Sequence, residues 1–307
     1  MKPKISVCIP CHNQAHLLLE AVVSCLKQEY EDIEIVVLDD ASRDDPKMVL
    51  DVARLFSRSA EIKYFRSDTP SGSGGAFNKA MDRATGEYLV LLCADDVFTD
   101  PRVLSDIAEI FKKQPKVGHI SRYYHQFIDG DRRPVRAWRC NNIIELANNP
   151  SGLAFRRSVI TRCQLSNKMF VEAPSLVACV MRNPKVWALI MPWDTVAVRI
   201  HQSTARSKEY YRKRWTSSPL VEWSKIGGSA LQRDFTSLIQ IKNYFTTSAV
   251  LKECLNFLTL RPINILMPAF WFFALVALLT PRVILLRVPD FYRKTIGRWT
   301  TREIKRP

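Results

Sequence analysis

Two apolar runs end in paired acids, namely IEIVVLDD at Ile33–Asp40 and YLVLLCADD at Tyr88–Asp96. Each run is typical of a buried parallel strand that brings carboxylates to its carboxyl end. Open α/β sheets bind ligands at this edge, because short loops line the crevice there. Two neighbouring acids repel each other unless a cation or hydrogen-bond donors satisfy them. A divalent metal that carries a phosphate ester meets that need, and solvated turn acids remain the alternative for either pair alone.

The surrounding sequence alternates between strand and helix patterns. We predict strands at residues 4–10, 33–38, 62–66 and 87–92, and helices at residues 14–27, from Asp44 or Asp45 to Phe56, and from the glycine-rich stretch 71–75 to about Ala84. This alternation with short connections specifies a doubly wound parallel sheet. The glycine-rich stretch lacks the lysine of a P-loop, so it predicts a loop beside a nucleotide rather than an ATPase site. Asp129-Gly130 predicts a hairpin between residues 123–128 and 134–138.

Several stretches, taken in order, resemble the successive motifs of glycosyltransferase family 2. They are Ile5–Asn13, Val37–Asp44, Gly74–Asn78, Ala84–Tyr88, Ala94–Asp96, Asn148–Arg157, Phe170–Glu172 and Val198–Thr204. Several motifs in the right order are far more specific than any one of them. The resemblance implies an α/β protein of the GT-A fold, a Rossmann-like and mostly parallel sheet with flanking helices. It also implies a nucleotide-diphosphate sugar donor, a divalent metal and inversion at the anomeric carbon.

The resemblance further implies a set of donor-binding residues. These are Pro10, His12, Asn13, Asp39, Asp40, Asn78, Asp95 and Arg199. Asp39 is expected to contact the uracil or ribose edge and Asp40 to support the loop, and exchanged roles of the two acids stay open. Arg199 is expected to neutralise the diphosphate.

The expected metal ligands are Asp96, Asp95 and His201, with Mn²⁺ or Mg²⁺ as the ion. Asp96 is the candidate for direct coordination, and Asp95 for the ribose or a metal-bound water. A lone histidine after an apolar strand is ordinarily a packing residue, so this alternative stays open for His201. The sequence departs from the family pattern at Cys93, where many relatives carry an acid.

Inverting transfer requires a base on the acceptor's side of the sugar, because the incoming hydroxyl loses its proton as the bond to phosphate breaks. The expected base is Glu172, which lies where the family presents an acidic pair. The second member of that pair is Ala173 here. The alternative is that Glu172 only caps the helix that follows it.

The chain is predicted to divide into a catalytic domain at 1–204 and a basic helical region at 205–307. From residue 201 onward there are 18 Lys and Arg against 6 Asp and Glu, whereas the first 200 residues hold 27 against 24. The stretch 263–280 carries no formal charge, and as a helix it would be about 27 Å long, just short of a typical hydrocarbon core. Basic residues flank it, which favours a re-entrant or interfacial helix on an anionic membrane surface over a spanning one. A buried helix of a larger soluble domain is the remaining alternative.

Two further expectations concern location and processivity. No cleavable signal precedes the first strand, so the catalytic domain is expected at the cytoplasmic face of the membrane, with buried and reduced cysteines. Residues 211–215 (YRKRW) resemble a signature of processive synthases, but Tyr211 replaces the glutamine of that signature. We therefore expect one sugar to be added per binding event.

The sequence thus predicts transfer of a sugar to a hydroxyl of a lipid-linked saccharide acceptor in surface-glycan synthesis. Three alternatives remain open. Cys93 and Ala173 are consistent with an inactive family member that acts as a membrane scaffold. A nucleotidyltransferase would share the sheet and the metal site. A nucleic-acid-binding protein would use the basic tail, but the acidic strand ends argue against it, so no nucleic acid is expected.

Overall fold

The computed structural model describes residues 2–57, 60–138, 146–147, 149–167, 172–181, 183, 185–201, 271 and 302–303. The predicted domain boundary at 204, the 211–215 motif and the uncharged stretch 263–280 therefore lie outside the described residues, apart from Trp271. Among the described helices, none combines the length and the apolar character needed to cross a membrane.

Ten strands and six helices follow one another along the described chain. The strands are β1 (Ile5–Cys11), β2 (Ile33–Asp39), β3 (Glu61–Arg66), β4 (Tyr88–Leu91), β5 (Val97–Phe98), β6 (Val117–Ile128), β7 (Asp131–Trp138), β8 (Ala154–Arg156), β9 (Trp187–Ile200) and β10 (Arg302–Glu303). The helices are α1 (Ala15–Leu26), α2 (Pro46–Arg54), α3 (Gly72–Arg83), α4 (Val103–Lys113), α5 (Arg157–Ile160) and α6 (Glu172–Met181).

The strands form one sheet in the order β10-β9-β6-β8-β4-β1-β2-β3, with β5 added beside β9 and β7 beside β6. The half made of β3, β2, β1 and β4 is parallel, as predicted. Beyond β4 the sheet is mixed, because β8 runs antiparallel to both β4 and β6 while β6 and β9 run parallel. The expectation of a doubly wound parallel sheet therefore holds for the first half only.

The local sequence explains the elements of the parallel half. Strand β2 is buried at every position and β1 at all but one, so both are continuous apolar runs rather than alternating patterns. Helix α2 begins where predicted, since the Asp45 carboxylate accepts a hydrogen bond from Met48 N at 3.0 Å and Pro46 occupies the first turn. The predicted hairpin is also confirmed, with β6 and β7 joined at Asp129-Gly130.

One expectation about the cysteines is wrong. Cys163 and Cys179 form a disulfide between the segment after α5 and helix α6, with their Cα atoms 5.7 Å apart. The two residues are 16 apart in sequence, and no local pattern marks them as neighbours. Cys8, Cys11 and Cys25 are free and buried, as expected. Burial raises the pKa of the Cys11 thiol to about 12, so it is protonated and unreactive at neutral pH.

Candidate active site

The site lies where the strand order reverses. From β1 the chain proceeds to β2 on one side, whereas β4 pairs with the other side of β1. A crevice opens at the carboxyl ends of strands at such a point, and open α/β sheets bind ligands there. The segments 11–13 and 93–96 follow β1 and β4 directly, so both line this edge.

Three potential metal ligands lie together after β4. A sulfur or carboxylate oxygen from each of Cys93, Asp95 and Asp96 lies within 4.8 Å of the others. Asp96 is buried, whereas Cys93 and Asp95 are half-buried. Two carboxylates and a thiol are a donor set that fits a divalent cation, which would also relieve the repulsion between the acids.

Strand β9 brings the predicted partners to these acids. Its antiparallel pairing with β5 places Ala197 opposite Val97, so the end of β9 lies beside the segment 95–96. His201 Nε2 lies 3.0 Å from an Asp95 carboxylate oxygen. The Arg199 backbone N–H donates to Asp96 at 3.0 Å. The structure thus brings the predicted ligand His201 to Asp95 and Asp96, although it lies more than 100 residues after them in sequence.

Arg199 is held by carboxylates of the protein. Its guanidinium donates to Glu20 and Asp129, its Nε donates to the Asp95 backbone carbonyl at 3.1 Å, and it lies over the Phe127 ring at 4.9 Å. Burial lowers the pKa of a guanidinium, but the two acids outweigh this effect and raise the pKa of Arg199. Arg199 therefore connects α1 and the β6–β7 hairpin to the segment 95–96. Its contact with a diphosphate stays a prediction.

Asp39 is fully buried at the end of β2. It accepts hydrogen bonds from Ser42 N at 2.8 Å, from the Tyr64 hydroxyl at 2.8 Å and from Arg66. Burial raises the pKa of this carboxyl, but the hydrogen bonds from Ser42 and Tyr64 and the charge of Arg66 outweigh it, so the pKa is lowered. Asp39 is therefore ionised and fixed at the crevice.

Asp40 holds the start of α3. Its carboxylate accepts hydrogen bonds from Ser71 N at 2.8 Å, from the Ser71 hydroxyl at 2.6 Å and from Gly72 N at 2.9 Å. The N-terminal N–H groups of a helix lack partners within the helix, so an acid there satisfies them. This is the loop-supporting arrangement that the sequence favours for Asp40.

The segment after β1 is folded tightly against the segment after β2. Asn13 has a positive φ of 55°, its N–H donates to the Ser42 hydroxyl at 3.0 Å, and its side-chain oxygen accepts from Arg43 N at 2.7 Å. His12 Nδ1 lies 2.7 Å from the Asp40 carbonyl oxygen. Pro10 lies within β1, opposite Leu38 of β2. Pro10, His12 and Asn13 thus reach the predicted edge.

Asn78 and Glu172 lie on a different pair of elements. The Asn78 side chain makes two hydrogen bonds with the Leu165 backbone, at 2.8 and 2.9 Å, and thereby fixes the segment before α6. Glu172 is half-buried at the first position of α6, and its carbonyl accepts from the Ser175 hydroxyl at 2.6 Å. Both of these Asn78 hydrogen bonds are with the protein backbone, and the roles of Asn78 in donor binding and of Glu172 in proton transfer stay predictions.

Sequence reasoning assigned no role to the residues that hold Asp96 from the other side. The Ser151 hydroxyl donates to Asp96 at 2.5 Å and accepts from Cys93 N at 2.8 Å. The Asn149 side-chain oxygen accepts from Ser151 N and from the fully buried Arg122, both at 2.9 Å. The stretch 148–157 was recognised by its resemblance, but nothing in it indicates which acid its serine contacts.

The chain is similar in sequence to known glycosyltransferases. A family model described as glycosyl transferase family 2 matches residues 6–170. An uncharacterized glycosyltransferase of Haemophilus influenzae is 30% identical over 232 residues, which are 73% of this chain and 90% of that relative. Another, from Nostoc sp., is 33% identical over 174 residues, 52% of each chain, so the match spans about half the length of that relative. A GalNAc(5)-diNAcBac-PP-undecaprenol beta-1,3-glucosyltransferase of Campylobacter jejuni is 40% identical over 95 residues, 31% of this chain and 30% of that relative.

Two solved structures share the fold. The mannosyltransferase PcManGT from Pyrobaculum calidifontis, in complex with GDP-Man and Mn²⁺, aligns with a TM-score of 0.58 at 17% identity, over 91% of this chain and 88% of that one. S. aureus TarS 1-349 in complex with UDP-GlcNAc aligns with a TM-score of 0.58 at 14% identity, over 94% and 92%. At such low identities these likenesses show the fold alone.

Proposed function

Because the chain belongs to glycosyltransferase family 2, we propose that it transfers a sugar from a nucleotide-diphosphate sugar to a hydroxyl of a saccharide acceptor. The observation that carries the proposal is the cluster of Cys93, Asp95 and Asp96 beside His201, at the edge where such a sheet binds nucleotides. Two proteins that share the fold were solved with GDP-Man and UDP-GlcNAc, which supports this class of donor.

Mn²⁺ or Mg²⁺ is the proposed cofactor, held by Asp96 and Asp95 with His201 beside them. When bound, the ion supplies positive charge that stabilises the departing diphosphate. The protein contributes a prepared set of ligands, because Ser151 and the Arg199 backbone already orient Asp96. Groups that are oriented in advance need little reorganisation during the reaction.

Glu172 is the proposed base for the acceptor hydroxyl, on the face of the sugar opposite the diphosphate. Removal of that proton as the bond to phosphate breaks gives an inverted product. The position of Glu172 at the start of α6 supports the proposal, since the preceding segment is fixed to α3 through Asn78 and Leu165. A base on a fixed element keeps a defined distance to its target.

The proposed acceptor is a lipid-linked saccharide of a surface-glycan pathway. The name of the Campylobacter jejuni relative includes GalNAc(5)-diNAcBac-PP-undecaprenol, a saccharide joined to undecaprenol through a diphosphate. This name supports a lipid-linked saccharide as the class of acceptor. The excess of basic residues after residue 201 supports attachment to an anionic membrane surface, on its cytoplasmic face.

One experiment separates the donor half of the site from the acceptor half. Calorimetry with UDP or GDP in the presence of Mn²⁺ is followed by transfer assays with UDP-GlcNAc, UDP-glucose and GDP-mannose. Asp96→Asn should lower metal-dependent nucleotide affinity by at least about tenfold, since it removes a buried charge that attracts the cation. Glu172→Gln should keep that affinity and lower transfer about 10²- to 10⁴-fold. Asp82→Asn, an exposed change on α3, is the matched control.

The products decide between the proposed function and its alternatives. Release of a nucleoside diphosphate supports glycosyl transfer, whereas release of pyrophosphate identifies a nucleotidyltransferase. A folded protein that binds nucleotide with Mn²⁺ but turns over none of the donors, with glycan lipids supplied, is the inactive scaffold. Unchanged nucleotide affinity in folded Asp96→Asn would remove this acid from the metal site.

A further inference from the structure

Cys93 lies inside the candidate metal site rather than beside it. Its sulfur is within 4.8 Å of ligand oxygens from both Asp95 and Asp96. The loop that carries it is closed by two backbone contacts, since Cys93 N donates to the Ser151 hydroxyl at 2.8 Å and Asp96 N donates to the Cys93 carbonyl at 3.1 Å. The sulfur is thus presented from a fixed turn.

The spacing of the three groups suits a single ion. Bonds of about 2.0–2.6 Å to sulfur and oxygen ligands place two ligands of one ion at most about 5 Å apart. The observed upper limit of 4.8 Å falls within that range without rearrangement of the backbone. The sulfur of Cys93 and one oxygen of each acid can therefore hold one ion together.

We propose that Cys93 is a metal ligand and that its thiolate makes the site bind a softer first-row divalent ion, above all Co²⁺ and to a smaller degree Mn²⁺, in preference to Mg²⁺. The inference rests on the proposed function, because the ion is the one that would hold the donor diphosphate. Thiolates are soft ligands that suit first-row transition metals, whereas Mg²⁺ prefers oxygen and loses its water reluctantly.

The binding step has a defined proton balance. The S–H bond of Cys93 breaks, a sulfur–metal bond forms, and the proton passes to the buffer. Two carboxylates and a thiolate place three negative charges around a divalent ion. Arg199, which donates to the Asp95 backbone carbonyl, adds a positive charge beside this loop.

Cobalt provides a direct test on the full-length protein. Titration with Co²⁺ should produce the near-ultraviolet charge-transfer absorption of a cobalt–thiolate bond in the wild type. The band should be missing in Cys93→Ser and Cys93→Asp, and retained in Cys25→Ala, which removes a buried thiol from α1. Calorimetry should show a preference for Co²⁺ over Mg²⁺ that falls by about tenfold or more in Cys93→Asp, where a hard oxygen replaces the sulfur.

A second readout separates this inference from the proposed function. Wild-type protein that binds UDP or GDP with Mn²⁺, but shows no cobalt–thiolate band and the same metal preference as Cys93→Asp, would overturn the role of Cys93 and leave the proposed function standing. Protein that binds neither these metals nor the nucleotides would overturn both. Proton release on Mn²⁺ binding, measured in buffers of different ionisation enthalpy, should decrease in Cys93→Ser.

Discussion

At the residue scale, Asp96 shows how the protein prepares a ligand. Its side chain is 2% exposed, and its two oxygens accept hydrogen bonds from the Ser151 hydroxyl and the Arg199 backbone. Such outer partners fix the orientation of a ligand, and their loss commonly weakens metal binding. Ser151 also holds the Cys93 backbone, so one hydroxyl positions two members of the cluster.

Replacement of this hydroxyl gives a direct prediction. Ser151→Ala should lower Mn²⁺ affinity about 10- to 100-fold while the fold persists, because only one buried hydroxyl is removed. Calorimetry with Mn²⁺ measures the loss, and circular dichroism checks the fold. Ser158→Ala, an exposed change on α5, should leave the affinity unchanged. Equal Mn²⁺ affinity in wild type and Ser151→Ala would show that Asp96 is oriented without this contact.

Glu34 is a second buried acid, near the amino end of β2 and away from the site. It accepts hydrogen bonds from Ser6 at 2.5 Å, from Lys63 at 2.6 Å and from the Thr85 hydroxyl at 2.8 Å. Burial raises the pKa of its carboxyl, but these donors outweigh burial and lower the pKa to about 2. The ionised acid therefore fixes the turn between α3 and β4 to the first two strands.

The lowered pKa predicts a dependence of stability on pH. The contribution is fully present above the unfolded pKa of 4.5 and is lost as the pH falls towards about 2. It amounts to about 3 kcal/mol, because each unit by which the pKa is lowered from 4.5 to about 2 corresponds to about 1.4 kcal/mol. Denaturant unfolding should thus show wild type more stable than Glu34→Gln at pH 7, with the difference shrinking below pH 4.5. A difference that stays constant between pH 7 and pH 3 would contradict this assignment, and Glu31→Gln serves as the exposed control.

Individual site residues could be named from the sequence where a motif carries the chemistry. Asp95, Asp96 and His201 were named from the resemblance, and the structure brings them together. The role of Ser151 could not be predicted, because its contact with Asp96 spans 55 residues and depends on how β8 pairs with β4. A side-chain hydrogen bond between distant segments leaves no periodic pattern in the sequence.

At the element scale, α3 and the segment before α6 are packed unusually closely. A Cβ at Gly74 would lie 2.1 Å from the Ser166 carbonyl oxygen and 2.7 Å from its carbon. Gly75 N donates to the Asn167 side chain, and Asn78 holds Leu165, so three positions of one helix fix this segment. The sequence predicted a loop beside a nucleotide at this glycine-rich stretch, whereas α3 begins at Gly72 and the backbone that Gly74 approaches is that of the protein itself.

This contact predicts the effect of adding one methyl group. Gly74→Ala should push residues 165–167 away from α3, at a cost of about 1–3 kcal/mol in unfolding free energy. If Glu172 is the base, kcat should fall more than nucleotide affinity, since the displaced segment leads to α6. Thermal unfolding and transfer assays measure the two effects, with the exposed Ser73→Ala on the same helix as control. An unchanged melting temperature would show that the segment shifts freely.

Elements were predictable from the sequence where a strand is buried along its length or where a turn has a typical local composition. Strands β1, β2 and β4 are buried at nearly every position and mostly apolar, and the hairpin has a two-residue turn of typical composition, so each was recognised. Strands β8 and β9 were not predicted, because one has three residues and the other is specified by pairing with β6 across the sheet. The disulfide was missed for the same reason, since packing of α6 brings its cysteines together.

At the scale of the whole molecule, charge divides the chain unevenly. The first 200 residues, which contain every strand of the sheet except β10 and the acids of the candidate site, carry 27 basic against 24 acidic residues. The remaining residues carry 18 basic against 6 acidic ones. A nearly neutral catalytic part and a strongly basic remainder predict that the remainder, rather than the sheet, determines attraction to anionic surfaces.

Membrane attachment through this region should therefore show two components. Attraction of the basic residues to anionic lipid weakens with salt, whereas burial of the apolar side chains within 270–279 does not. Full-length protein should float with vesicles that contain phosphatidylglycerol, lose only part of that binding in high salt, and be released by detergent. Phosphatidylcholine vesicles should retain only the salt-resistant part. Protein that stays in solution with both vesicle types would contradict membrane attachment, and the basic residues would then need another anionic partner.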